Sequence, residues 1–226
     1  MGPSPPNTVP RAQWESLGVS RESLARLEGL VALVQEWQTH INLVSPATLP
    51  EIWTRHVLDS AQLLPLVGPG VTAIADLGSG GGFPALVLAA CHPARIHMFE
   101  SNSKKVAFLQ EGLRRMKVSG EVHRDRLQQN RAPAKMPAVQ LVTARAFAPL
   151  EELLGYAIPF LGSGARALFH KGQDVDAELT QAAKSWKISA QKHSSQTDSK
   201  SVILEIKEVS YVGSKQFHQA PDPGGG

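Results

Sequence analysis

Cysteine occurs once in the 226 residues, at Cys91. A single thiol excludes an internal disulfide framework and fits a reducing cytoplasm. No second Cys/His cluster stands beside Cys91-His92 to complete a zinc site, so no metal is expected. Long apolar runs are absent too, which leaves no candidate membrane span. Residues 1–10 hold four prolines and no apolar signal core, so they read as a disordered arm. Pro6 stands where a myristoylation signal needs Ser or Thr. The G-x-S-x-G elbow of serine hydrolases is also missing, so Ser/His/Asp hydrolysis has no support.

What is present is unevenly charged. Residues 1–100 carry five Lys/Arg against eight Asp/Glu, and residues 137–226 carry nine of each. Residues 101–136 carry nine (Lys104, Lys105, Arg114, Arg115, Lys117, Arg124, Arg126, Arg131, Lys135) against three acids. The whole excess of +3 therefore comes from about one-sixth of the chain. Such a basic stripe is the footprint of a polyanion partner, or else a solvated helix face and loop.

Hydrophobic periodicity supplies the architecture. Ser20 caps a helix in which Leu24, Leu27, Leu30 or Val31, Val34 and Trp37 recur at helical spacing. A second helix is expected from Pro50 to about Leu64. Pro65, Gly68, Pro69 and Gly70 end it. Strands and helices then alternate. Strands are expected at Val71–Leu77, Arg95–Glu100, Glu121–His123, Val139–Thr143 and Ala165–His170. Helices are expected up to about Cys91, after a cap at Ser103, from Pro149 to near Pro159, and at Val175–Ala183. Two late strands, Lys187–Ala190 and Val202–Val209, read as an antiparallel edge hairpin. The pattern is α/β, with a mostly parallel seven-stranded sheet covered on both faces. Residues 11–70 form a small helical extension, residues 71–212 the main domain, and residues 213–226 a disordered tail.

The densest motif is Asp76-Leu77-Gly78-Ser79-Gly80-Gly81-Gly82-Phe83-Pro84, where a strand passes into a helix. Glycines there let the backbone turn sharply and approach a ligand. Glu100 ends the next strand, 22 residues after Gly78, where a carboxylate can accept from both hydroxyls of an adenosine ribose. The dinucleotide pattern G-x-G-x-x-G fails at Phe83, and passes from Gly80 only in a frame that begins after the strand has ended. The pattern acidic-x-G-x-G-x-G is complete from Asp76. It resembles the S-adenosylmethionine loop of Rossmann-like class I methyltransferases.

Further segments resemble the bacterial 16S ribosomal RNA guanine-N7 methyltransferase family, also called glucose-inhibited division protein B. They are Trp37-Gln38-Thr39-His40-Ile41-Asn42-Leu43-Val44-Ser45, Arg55-His56-Val57-Leu58-Asp59-Ser60 and the glycine loop. Glu100-Ser101 with Lys104 to Leu109, Ala144-Arg145-Ala146-Phe147-Ala148, and Lys171-Gly172 complete the set, in family order. Three positions depart from it. Ala85 replaces a usual glycine, Gln128 a usual acid, and the tail from Tyr211 to Gly226 lacks a basic ending.

The resemblance implies methyl transfer from S-adenosylmethionine to N7 of a guanine in 16S ribosomal RNA, free or in the small subunit, by a cytoplasmic monomer. A small-molecule methyltransferase and an NAD(P)-binding protein are the alternatives. The residues implied for the cofactor are Asp76, Gly78, Gly80, Gly82, Phe83, Glu100, Leu127, Gln128 and Arg145. Lys104, Lys105, Arg126 and Lys171 are the candidate RNA contacts. His56 and Asp59, three apart on one helix, form a candidate pair facing the site. Arg145 is the expected active-site residue. It would contact the cofactor carboxylate, guanine O6 or a phosphate, or would tie its loop to Asp76. No general base is expected, because guanine N7 has no proton to lose.

Overall fold

A computed structural model describes residues 9–133 and 135–212. The expected arm falls mostly outside them, and the expected tail wholly so. Seven strands form one sheet in the order β3-β2-β1-β4-β5-β7-β6. They are β1 (Ala73–Leu77), β2 (Arg95–Glu100), β3 (Gly120–Arg124), β4 (Leu141–Arg145), β5 (Arg166–Lys171), β6 (Trp186–Ser194) and β7 (Val202–Tyr211). The first five are parallel, and β7 and β6 add antiparallel pairs at one edge. The strand order reverses between β1 and β4, and the crevice beyond their carboxyl ends is where open α/β sheets bind ligands.

Alternating strand residues split into two cores. Ile74, Ile96, Leu141 and Leu168 face one helical layer, while Ala75, Leu77, Val142, Ala144 and Phe169 face the other. The first layer holds α2 (Arg21–Gln38), α5 (Ala85–Cys91) and α6 (Ser103–Met116). The second holds α7 (Leu150–Leu161) and α8 (Val175–Ala182). A short α1 (Arg11–Ser16), absent from the sequence reading, joins the first layer through Trp14. Val9 is buried there as well, which removes it from the expected arm. Leu27, Leu30, Ile52 and Val57 pack into the same core as Ile74, so the residue 11–70 extension shares the sheet's hydrophobic interior.

Three local expectations need correction, at the helix from Pro50, the cap of α6 and the edge hairpin. The helix expected from Pro50 to Leu64 is broken into a 3-10 turn at Leu49–Glu51, a π-helical turn at Trp53–Leu58, α3 (Asp59–Ala61) and α4 (Leu64–Val67). The cap of α6 is Asn102 rather than Ser103, because the Asn102 side chain accepts from the Lys104 and Lys105 amides at 3.0 and 3.2 Å. Helix α7 runs through Pro159 to Leu161. Proline cannot donate to the carbonyl four residues back, and Asn130 N fills that position by donating to Gly155 O at 2.7 Å. The edge hairpin is longer than expected, with a bulge at Ser189/Ala190.

Candidate functional site

The loop after β1 is held from below and from the side. Ser79 N donates to Phe99 O on β2 at 3.0 Å. Gly80 N donates to Glu100 Oε2 at 2.9 Å, and Asn102 N to Glu100 Oε1 at 2.8 Å. Asp76 lies fully buried beneath the loop. Thr143 Oγ1 donates to its Oδ1 at 2.6 Å, while its Oδ2 has no hydrogen-bond partner. Burial pushes the Asp76 carboxyl up to about 6, against the lowering effect of the Thr143 hydroxyl. Gly78 has φ +68°, and a Cβ there would collide with the Phe147 ring. A Cβ on Gly81 would strike the Leu43 carbonyl.

Two cavities open at this edge. One, of about 460 Å³, is walled by the glycine loop, Phe99, Glu100, Leu127, Phe147 and Tyr156. The other, of about 930 Å³, is walled by Ser45, His56, Asp59, Pro149, His170 and Thr197, among others. Leu43, Arg145, Ala146 and Phe147 line both. Leu43 is placed by Gln38, whose amide oxygen accepts from Leu43 N at 2.9 Å and Val44 N at 3.1 Å. Its amide nitrogen donates to Val44 O at 2.9 Å. Both volumes lie in the range of small-molecule sites.

Arg145 stands on the shared wall. Its NH1 donates to Asp59 Oδ2 and to Arg55 O, each at 3.1 Å, and its NH2 to His56 Nδ1 at 2.6 Å. The guanidinium carbon lies 5.5 Å from the centre of the Phe83 ring. Burial lowers the Arg145 pKa from its ordinary value, opposed by Asp59. His56 is driven down to about 3, first by burial and then by Arg145, so it is neutral at physiological pH. His170 is also pushed below its ordinary value by burial, and its Nε2 lies 2.8 Å from Asp59 O.

The sequence candidates sort as follows. Gly78, Gly80, Phe83, Glu100, Leu127 and Arg145 meet around the smaller cavity, with Lys105 and Arg126 also on its wall. Gly82 shapes the turn without lining the cavity, because a Cβ there would meet Leu86 instead. Gln128 stands outside the lining of the smaller cavity. It is exposed, accepts from Arg131 NH1 at 3.0 Å and lines a separate small hollow, because the chain turns outward after Leu127. Lys171 lines the larger cavity but is 8% exposed, and its Nζ donates to Ala148 O at 3.0 Å and Glu178 Oε2 at 2.6 Å, so it stands there already paired.

The basic stripe also narrows. Arg114 and Arg115 are held by Glu111, Arg115 also by Glu36, and Lys135 by Glu121. Lys104, which is exposed, stands beside Lys105 at the start of α6. His56 and Asp59 both converge on Arg145, and Asp76 bonds to Thr143 rather than to Arg145. Where no metal was expected, His97, Glu121 and His123 approach one another on the β2–β3 edge, outside the lining of both cavities. There His97 Nδ1 lies 3.1 Å from His123 Nε2, and Lys135 and Arg95 engage Glu121.

Sequence reasoning missed Asp125, Phe147 and Tyr156 in the smaller cavity. Only Asp125, an acid just past a strand, left a readable signal. Ala146, with φ +49°, turns the chain so that Phe147 comes to the shared wall, and nothing in the residue type announces that.

The family described as GidB, rRNA small subunit methyltransferase G, matches residues 23–206. A ribosomal RNA small subunit methyltransferase G of Bradyrhizobium diazoefficiens is 51% identical over 183 residues, covering 79% of this chain and 70% of that protein. The protein of the same name from Paramagnetospirillum magneticum is 47% identical over 193 residues, covering 85% and 92%. Among solved structures, a putative O-methyltransferase from Klebsiella pneumoniae is similar at TM-score 0.54 and 12% identity, covering 81% of this chain and 90% of its own. The O-methyltransferase from Bacillus cereus in complex with SAH is similar at TM-score 0.52 and 13% identity, covering 81% and 91%. These two likenesses establish the Rossmann-like methyltransferase fold.

Proposed function

This chain belongs to the GidB family of small-subunit ribosomal RNA methyltransferases, and from that premise we propose that it methylates N7 of a guanine in 16S ribosomal RNA with S-adenosylmethionine as donor. The observation that carries this reading is the pair of cavities joined at Arg145 and Phe147. The smaller suits the donor. Its floor is the glycine loop, where Gly78 makes room for the Phe147 ring that a Cβ would strike, and Glu100 stands at the end of β2 to accept from ribose hydroxyls. Bound there, S-adenosylmethionine supplies an electrophilic methyl group on a sulfonium.

The larger cavity suits a base turned out of the RNA stack. Guanine N7 carries a lone pair and no proton, so the protein has to orient the base and exclude water rather than deprotonate it. The side chains agree. His56 is neutral, but its Nδ1 is already bonded to Arg145. Arg145 is a donor only, placed to hold a carbonyl or phosphate oxygen.

Incubation with tritiated S-adenosylmethionine, using free 16S RNA and small subunits in parallel, tests the reading. Nucleoside analysis should recover the label as 7-methylguanosine, and label in any other nucleoside, or none, overturns it. Glu100→Ala should weaken donor binding by about 1–3 kcal/mol in calorimetry, since it frees the Gly80 and Asn102 amides as well as the ribose. Unchanged affinity would remove Glu100 from the site.

RNA approach is assigned to Lys104, Lys105 and Arg126. Replacing all three with alanine should reduce the slope of log affinity against log salt by roughly 2, because each phosphate contact releases counterions. An unchanged slope rejects this surface. The protein is taken to work as a monomer in the cytoplasm. Among the described residues no helix is long and apolar enough to cross a membrane.

A further inference from the structure

The π-helical turn has a consequence beyond shape. Five-residue spacing takes backbone carbonyls out of the ordinary helical ladder, and such turns recur at functional sites. Here the carbonyls are met by side chains. Arg145 donates to Arg55 O at 3.1 Å and Ser60 Oγ to His56 O at 2.7 Å. Just past the turn, Gln62 Nε2 donates to Asp59 O at 3.0 Å. The same turn brings His56 against Phe83, with ring centres 5.2 Å apart, and against Arg145.

The direction of every bond in this cluster can be deduced. An arginine has no acceptor, so His56 Nδ1, 2.6 Å from Arg145 NH2, must be the unprotonated nitrogen. A neutral imidazole then carries its proton on Nε2, which lies 2.8 Å from Thr48 Oγ1 and donates to it. The Thr48 hydroxyl donates onward to Ser45 O at 3.0 Å. The chain of donors therefore runs Arg145 to His56 to Thr48 to Ser45, all four of them lining the larger cavity.

We propose that His56 is a positioning residue for methyl transfer, fixed as the Nε2–H tautomer so that it orients Arg145 on the shared wall and couples it to the Leu43–Ser45 segment. The proposal rests on the functional reading above for its kinetic consequence, but not for its tautomer. Burial and the adjacent Arg145, with Arg55 on the same turn, keep the ring neutral against the opposing pull of Asp59. A protonated ring would set a second donor against the guanidinium. The role differs from general-base catalysis, in which the same histidine would take a proton.

Two measurements test it on the full chain. In nitrogen-15 spectra of histidine-labelled protein, with His56→Asn used for assignment, His56 should show a bare Nδ1 and a protonated Nε2 unchanged from about pH 5.5 to 8. A protonated Nδ1, or titration inside that window, overturns the proposal. In kinetics, His56→Ala should lower kcat about tenfold or more, while affinity for S-adenosylmethionine stays within about threefold. His56→Asn, whose amide oxygen can replace Nδ1 as acceptor, should recover most of the loss. Wild-type kcat in the alanine variant, no recovery with asparagine, or a parallel loss of donor affinity each overturn it. If the wild type methylates no ribosomal RNA, the functional reading fails, while the spectra still decide the tautomer.

Discussion

Arg145→Ala should lower kcat by on the order of 10²–10³-fold, the cost of removing one well-placed charged donor from a site where charge is redistributed. Guanine methylation moves positive charge from a sulfonium onto a purine ring. Orientation of the base therefore matters more than proton transfer. The guanidinium is suited to orienting because four neighbours fix it: the Asp59 carboxylate, the Arg55 carbonyl, His56 Nδ1 and the Phe83 face.

Removing it also costs stability. Its side chain and that of Asp59 are each 16% exposed, so the alanine variant leaves a largely buried carboxylate without its cation. That loss should be about 2–4 kcal/mol, within the margin of an ordinary domain. Arg145→Lys separates the two effects. It keeps a charge for Asp59 and recovers most of the stability, but it lacks the planar fork and should recover little of the rate. A lysine variant with near wild-type kcat, or an alanine variant within about threefold of it, would show that the fork is structural only.

The wild-type pH–rate profile should be flat from about pH 7 to 9. His56 and His170 both have lowered pKa values and are already neutral at its lower end, and Arg145 stays charged throughout. A limb in that range that persists in single turnovers and vanishes in His56→Ala would demand a base.

The parts of this site that the sequence disclosed are those set by local rules. Asp76 to Gly82 could be recognised because a strand running into clustered glycines has few other uses. Arg95–Glu100 matched its observed strand because a short, largely apolar run closed by an acid is written locally. The π-helical turn was not legible. Its residues carry an ordinary helical pattern, and the extra residue per turn is stabilised by Arg145, which lies some ninety residues later in the chain. Lys171 misled for a similar reason. The Lys171-Gly172 segment of the family resemblance pointed to an RNA contact near the pocket, yet Glu178, one helix further on, pairs with the lysine. Of the pair that the resemblance implied beside the cofactor, Leu127 lines the smaller cavity and Gln128 does not, a difference of one residue in chain direction that family position does not resolve. Partners on other elements decide the first two cases, and they become visible only once the sheet order is known.

Gly78→Ala should reduce affinity for S-adenosylmethionine by roughly 100-fold, the largest effect expected from adding a single methyl group to this chain. Two costs combine. The backbone at φ +68° is left-handed, which charges an L side chain about 1–2 kcal/mol. The new Cβ would also overlap three atoms of the Phe147 ring, and overpacking of that kind typically costs about 1–3 kcal/mol. Phe147 cannot yield without consequence. It packs on Tyr156 with ring centres 5.1 Å apart, and it forms part of both cavity walls. Displacement of the ring would therefore close donor space, open the shared wall, or both. A double-mutant cycle with Phe147→Ala isolates the clash from the strain. In the Gly78→Ala background, the Phe147 truncation should restore affinity about tenfold, whereas alone it should weaken binding because it strips an apolar wall. Gly82→Ala serves as the contrast. It shares a positive φ but meets Leu86 rather than the cavity, so it should lower the melting temperature more than it lowers donor affinity. Binding in Gly78→Ala within about threefold of wild type, or a cycle with no coupling between positions 78 and 147, would place the donor elsewhere than on this loop.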